Sequence, residues 1–204
     1  MDDAGTGPLA ALARPEAAAL AGVPQVAYDD AIAHVEARMT RPRWLVTIDG
    51  RSGSGKTQLA GLLHARHAHA QIVHLDDLYR DWDGLSAGLV RGRHIAEQWS
   101  RHNASTYLPT HWPGTTARGR VTVTPDRPLI VEGVGATWVG RSLGHAALWL
   151  EAERETRKRR ALERDGETFV PYWLAWELQE DAWFAAHPLR PDALVPVPGE
   201  PNLD

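Results

Sequence analysis

One string of eight residues constrains this chain more than any other: Gly50-Arg51-Ser52-Gly53-Ser54-Gly55-Lys56-Thr57. It fits G-x-x-x-x-G-K-[ST], a loop whose backbone N–H groups close around phosphate oxygens. Its surroundings agree with it. Trp44–Ile48 is a short apolar run that reads as a buried strand, and Thr57–His67 has the pattern of a helix. A strand, a glycine-rich turn and a helix in that order point the positive end of the helix dipole at an anion. The string predicts that Gly50, Ser52, Gly53, Ser54, Gly55, Lys56 and Thr57 hold the phosphates of ATP. Lys56 is expected to reach the β- and γ-phosphates and the Thr57 hydroxyl to ligate Mg2+. Lys56 and Lys158 are the only lysines in a chain otherwise rich in arginine.

Further apolar runs follow at 71–75, 128–131, 146–150 and 193–197, and helical patterns at 28–39, 154–164 and 172–186. Strands alternating with helices predict an α/β fold, a five-stranded parallel sheet with helices on both faces. The length of 204 residues suits one such domain. Residues 1–25, rich in Ala, Gly and Pro, are expected to be a loose or partly helical lead-in to a single domain over 26–204. The stretch from Arg80 to Arg127 shows no clear periodicity and is expected to be an irregular insertion at the ligand-binding edge.

Composition excludes several classes. A net charge of −4 argues against general nucleic-acid binding, which needs a basic face. There is no cysteine, so disulfides and thiolate metal sites are ruled out and a reducing cytoplasm is the simplest location. The acidic start Met1-Asp2-Asp3 lacks the basic end of a signal peptide, and no run is apolar enough to span a membrane. A homo-oligomer stays open.

Ligands of open parallel sheets bind beyond the carboxyl ends of the strands. There the second strand ends in Asp76-Asp77 and the third in Glu132. Transfer of a phosphoryl group needs a base for the attacking hydroxyl and acidic support for the metal. Asp76 is expected to be the base and Glu132 part of the magnesium shell, with Asp77 the alternative for either role. Residues 154–165 (RETRKRRALERD) place Arg157, Arg160 and Arg164 on one helix face. That face suits a lid over the transferring group, with Arg160 and Arg164 foremost, though a solvated surface helix would carry similar charges. Tyr79, Trp82, Tyr107, His111 and Arg93 are candidate acceptor contacts, with Trp99, Trp112 and Asp83 nearby. Trp173, Trp176, Glu180 and Trp183 share one face of the last helix, where core packing is the expectation for the rings. His64, His67 and His69 are expected at an exposed helix end.

Four blocks in order, GRSGSGKT at 50–57, HLDDLY at 74–79, LIVEG at 129–133 and RRALERD at 159–165, resemble the uridine kinase-type P-loop nucleoside and nucleotide kinases. A weaker fifth, VPVPGEPNL at 195–203, resembles that family's loop around adenine. The resemblance implies transfer of the ATP γ-phosphate to a nucleoside 5′-hydroxyl. It puts the base on Asp76, the third-strand Glu on Glu132 and the lid arginines on Arg160 and Arg164. Tyr107 and His111 echo the family's base-recognition segment, and position 77 carries Asp where uridine kinases usually have a small polar residue. The implied partner is a small-molecule acceptor, a nucleoside foremost. A kinase of a nucleoside monophosphate, a vitamin precursor or an antibiotic hydroxyl, and a nucleotide-binding module without an acceptor, are the alternatives.

Overall fold

The computed structural model describes residues 14–112, 116–144 and 146–199. Five apolar runs form one parallel sheet: β1 (Leu45–Asp49), β2 (Gln71–His74), β5 (Leu129–Glu132), β6 (Ala146–Glu151) and β7 (Ala193–Pro196). Their order is β2-β5-β1-β6-β7, so β1 lies at the centre with β5 and β6 as parallel neighbours. Every residue of β1, β5 and β6 is buried, as continuous hydrophobic strands covered on both faces must be. One face is covered by α2 (Ala31–Glu36) and α3 (Lys56–Arg66), through Ile32, Val35, Leu59 and Leu63. The other is covered by α4 (Leu85–Ser100), α5 (Ala136–Gly140) and α7 (Trp173–Ala186), through Leu89, Val139, Trp176 and Phe184. The expected architecture, a five-stranded parallel sheet between helical layers, is the one observed. The helix expected over 28–39 is a 3₁₀ turn at Tyr28–Asp30 followed by α2.

Residues 80–127 are more regular than their sequence suggests. They contain the 16-residue helix α4 and an antiparallel hairpin of β3 (Ser105–Tyr107) and β4 (Val121–Val123). The buried positions of α4 are Leu85, Gly88, Leu89, Gly92, Ile95, Ala96 and Trp99, a regular helical stripe. Two of these are glycines, which carry no hydropathy signal, so the stripe is hard to see in sequence. They are small because the helix packs closely: a Cβ on Gly88 would overlap the Tyr79 ring, and one on Gly92 would lie 2.7 Å from Leu75. Gly88→Ala is therefore expected to destabilise the fold by about 1–3 kcal/mol from overpacking, despite the better helix propensity of alanine. A urea unfolding midpoint equal to or above that of the parent would contradict this packing.

The described part of the lead-in is ordered against the domain. Leu20, in the short helix α1 (Ala17–Leu20), is fully buried. Val26 N donates to Leu194 O and Leu194 N donates to Pro24 O, both at 2.9 Å, so residues 24–26 run along the free edge of β7. Covering a sheet edge removes a template for unwanted pairing. Between β6 and α7 lies α6 (Arg154–Asp165). None of the described helices is long and apolar enough to cross a membrane.

Candidate active site

The loop 50–57 leaves the central strand and enters α3 at Lys56. Its backbone needs glycine most at Gly53, where φ is +79° and a Cβ would collide with the carbonyl oxygen of Arg157. The loop thus rests directly on α6, and Arg157 Nη1 donates to Ser52 O at 3.1 Å. Arg157 is buried beneath the loop instead of joining the other arginines of its helix, and burial pushes its pKa down.

A cavity of about 200 Å3 opens over the loop. Ser52, Gly53, Gly55, Lys56 and Thr57 line it from the loop side, and Arg160 and Arg164 from α6. Asp76, in the turn after β2, and Glu132, the last residue of β5, close the far end. Nine of the residues expected at a phosphate site therefore meet in one space. Gly50 and Ser54 belong to the loop but lie behind it.

Among the cavity's polar groups Thr57 and Glu132 are paired with each other, while Lys56, Arg160 and Arg164 are held by groups outside it. Lys56 Nζ donates to Arg51 O at 2.9 Å, across the mouth of the loop. Burial pushes the Lys56 pKa down, opposed by the charges of Glu132, Asp76, Glu180 and Asp49. Thr57 Oγ1 donates to Glu132 Oε1 at 3.2 Å, and the same oxygen lies 2.6 Å from His74 Nδ1. His74 and Glu132 are register partners on β2 and β5, which sets the two side chains together. The Asp76 carboxyl is pushed above the ordinary aspartate range by burial and then by the charge of Glu132, with Arg164 and Lys56 opposing. Arg164 is held by Asp165 through two bonds, at 2.7 and 2.6 Å, and Arg160 Nη2 donates to Pro198 O at 2.9 Å.

Several candidates stand elsewhere. Asp77 faces away from the cavity and is ion-paired with Arg118, while its carbonyl accepts Thr110 N at 2.8 Å. Tyr79 is a core residue whose hydroxyl donates to Val134 O at 3.0 Å. Trp82 stacks on Phe169 and Tyr172, with centroids 4.7 and 5.1 Å away, so protein rings occupy the surface expected to meet a ligand. Arg93 bonds Glu97 and the carbonyls of Val139 and Arg141 on the α4–α5 side. Tyr107 is half-buried on the hairpin, its phenol pushed up to about 12 by burial, and His111 is exposed. Neither lines the cavity. Trp112 does reach the site indirectly, since its indole N–H donates to Asp76 O at 2.8 Å. Among the described residues no group of acidic and histidine side chains is arranged as a protein-only metal cage.

Residues that sequence reading passed over support the loop from behind. Asp49, the last residue of β1, accepts N–H bonds from Gly50, Gly135 and Thr137 at 2.7, 2.8 and 2.9 Å. It joins the loop to the turn after β5. Burial raises its pKa to about 6 from 3.8, against those three bonds and the Lys56 charge. A carboxyl protonated more readily in the folded than in the unfolded chain favours folding at low pH and loses that contribution as pH rises from 3.8 to about 6. The expected size is about 3 kcal/mol. The stability difference between the parent and Asp49→Asn, measured by denaturant titration, should therefore shift towards the parent by about that amount from pH 7 to pH 4. A difference independent of pH would show that Asp49 titrates as in the unfolded chain.

A second support is Arg51, whose guanidinium contacts Glu16 at 2.5 and 2.8 Å, Asp181 at 2.5 Å and Glu180 at 3.4 Å. Glu180 in turn accepts Ser52 N at 2.9 Å and the Trp176 indole N–H at 3.1 Å. The sequence gives one hint of this: Glu180 falls at helical spacing among the tryptophans of α7, on a face that also buries Glu177.

No protein-family model matches the chain, and no curated protein matches it either. Solved structures do. A proposed uridine kinase from Bacillus stearothermophilus is 19% identical, with 82% of this chain and 96% of that chain covered at a TM-score of 0.53. A proposed fructose transport system kinase from Silicibacter sp. TM1040 is 21% identical, covering 80% and 96% at a TM-score of 0.53. The sheet order, the loop and these neighbours together give the chain the fold of the P-loop kinases.

Proposed function

We propose that this protein is a phosphotransferase that moves the γ-phosphate of ATP to a hydroxyl of a small neutral molecule, with a nucleoside as the leading acceptor. The observation that carries the reading is the shared cavity of Lys56, Thr57, Glu132, Asp76, Arg160 and Arg164. Loop amides and Lys56 bind the β- and γ-phosphates, so Lys56 exchanges its bond to Arg51 O for phosphate oxygens. The Thr57 hydroxyl and the Glu132 carboxylate, 3.2 Å apart, fit Mg2+, which prefers one or two protein oxygens beside waters and phosphates. Bound there, Mg2+ neutralises charge on the phosphate oxygens. Asp76 accepts the proton of the acceptor hydroxyl as that oxygen bonds to the γ-phosphorus and the bond to the ADP oxygen breaks. Its raised pKa makes it a stronger base than an ordinary aspartate. Arg160 and Arg164 stabilise the charge on the group in transit.

A monophosphate acceptor would need free arginines in the 80–127 segment. Of the five candidates, Arg91 is bonded to Leu78 O, Arg93 to Glu97 and two carbonyls, and Arg118 to Asp77, while Arg101 and Arg120 are exposed and do not line the cavity. Those engagements, and the Asp76 carboxyl at the acceptor end of the cavity, favour a neutral acceptor. The test is ADP release with MgATP over a panel of nucleosides, hexoses including fructose, and nucleoside monophosphates, with product identified by mass. Phosphorylation of a neutral hydroxyl supports the reading. Turnover confined to monophosphates would replace the acceptor assignment, and no phosphorylated product from any acceptor would favour a nucleotide-binding module.

A further inference from the structure

The turn that carries Asp76 is held by two sets of contacts. One set comes from the core. Leu75 is fully buried, Arg91 Nη1 donates to Leu78 O at 2.7 Å, and the Tyr79 hydroxyl donates to Val134 O at 3.0 Å. The other set comes from three residues in the connection between β3 and β4. Thr110 N donates to Asp77 O at 2.8 Å, and the Trp112 indole N–H donates to Asp76 O at 2.8 Å. The Arg118 guanidinium is ion-paired with the Asp77 carboxylate. Two of these ties engage backbone carbonyls and the third engages a side chain. Asp77, Thr110, Trp112 and Arg118 all stand outside the lining of the phosphate cavity.

Asp77 is an expensive residue for its position. Its side chain is 4% exposed, and a buried carboxylate is unfavourable unless it is paired. Its partner Arg118 is 52% exposed, and an ion pair with so open a member adds little to stability. What the pair does provide is geometry, one residue away from the proposed base. Among the described residues no group hydrogen-bonds the Asp76 carboxyl, so its aim into the cavity depends on the backbone of the turn. A general base must lie within hydrogen-bond reach of the hydroxyl it serves. A misplacement of about 1 Å is enough to cost on the order of a hundredfold in rate.

We propose that Arg118 is a positioning residue for the reaction. Through its ion pair with Asp77 it fixes the turn after β2, and with it the direction in which Asp76 presents its carboxylate to the acceptor hydroxyl. This rests on the kinase reading above. Trp112 and Thr110 serve the same turn through its carbonyls, and Arg118 is the one that acts through a charge.

Steady-state kinetics with MgATP and the best acceptor of the panel tests this, with kcat expressed per MgATP-binding site counted by calorimetry. Arg118→Gln is expected to lower kcat by about tenfold, with MgATP affinity and acceptor KM within about twofold of the parent. Arg118→Lys keeps the cation and should bring kcat back to within about threefold of the parent. Asp77→Asn removes the same pair from its other end and should lower kcat by a similar factor. The double variant should lose no more than the larger single loss, because both changes break one contact. A merely structural role lowers the number of binding sites and the melting temperature but not kcat per site. Parental kcat per site in Arg118→Gln therefore overturns the inference. So does a change confined to acceptor KM, which would make Arg118 an acceptor contact, and so do losses that multiply in the double variant. Each of those results leaves the kinase reading standing. Should Arg118→Gln prove unfolded by circular dichroism, Asp77→Asn, which leaves no buried charge behind, decides by the same kcat per site. Parent protein that phosphorylates no acceptor overturns both.

Discussion

Asp76→Asn is expected to lower kcat by about a thousandfold, within the range of 10²–10⁴ that a positioned general base contributes. The substitution preserves shape and removes the proton acceptor. MgATP affinity should change little, because Asp76 is at the acceptor end of the cavity, while the loop amides, Lys56 and Thr57 provide the grip on phosphate. The backbone should hold too, since Trp112 bonds the Asp76 carbonyl and not its side chain. Steady-state kinetics with the best acceptor, beside calorimetry with MgATP, measures the two effects separately. Retention of near-full turnover would remove Asp76 from the reaction. The pH profile of kcat gives a second reading. Only ionised Asp76 can take a proton, and burial with the Glu132 charge raises its pKa. The acidic limb should therefore fall above the ordinary aspartate range in the parent and be absent from the residual activity of the variant.

Arg51→Ala should be among the most destabilising single substitutions in the chain. The Arg51, Glu16 and Glu180 side chains are 2%, 0% and 0% exposed. Removing the cation leaves Glu180 buried without its charge partner and Glu16 with only Arg14, 3.9 Å away, an expected loss of about 3–5 kcal/mol. Against a domain stability of about 5–15 kcal/mol, that is enough to leave much of the protein unfolded at 37 °C. The loss should persist at high salt, since buried pairs are screened far less than exposed ones. Replacing the group together, as Arg51→Met with Glu16→Leu and Glu180→Gln, should recover more than half of it. Glutamine at 180 keeps a carbonyl for the Ser52 amide. Urea midpoints for the three proteins test this, and a loss below about 1 kcal/mol for Arg51→Ala would mean that the ion network contributes little. Since Arg51 and Glu180 also fix the loop between the lead-in and α7, folded Arg51→Ala protein should bind MgATP more weakly.

Much of the fold could be read locally. The phosphate-binding string, the five apolar runs and the helical patterns are short-range features, because a strand buried on both faces must be apolar throughout and a loop with positive φ needs glycine. The same locality put Asp76 and Glu132 at strand ends and Arg160 and Arg164 one helical turn apart. Helix α4 stayed hidden because Gly88 and Gly92 mark close packing by having no side chain.

The sequence by itself determined the loop, the five strands of the main sheet in chain order, and the residue types at the strand ends. The tertiary structure alone decided which charges point into the cavity. Adjacent residues diverge there: Asp76 lines the cavity while Asp77 turns to Arg118, and Arg160 faces it while Arg157 is buried under the loop. It also decided that Glu16, Arg51 and Glu180 meet, and that His74 lies against Glu132. Such pairings depend on strand order and on packing between residues 35 to 129 positions apart, and a one-dimensional pattern holds no record of which distant partner a buried charge will find.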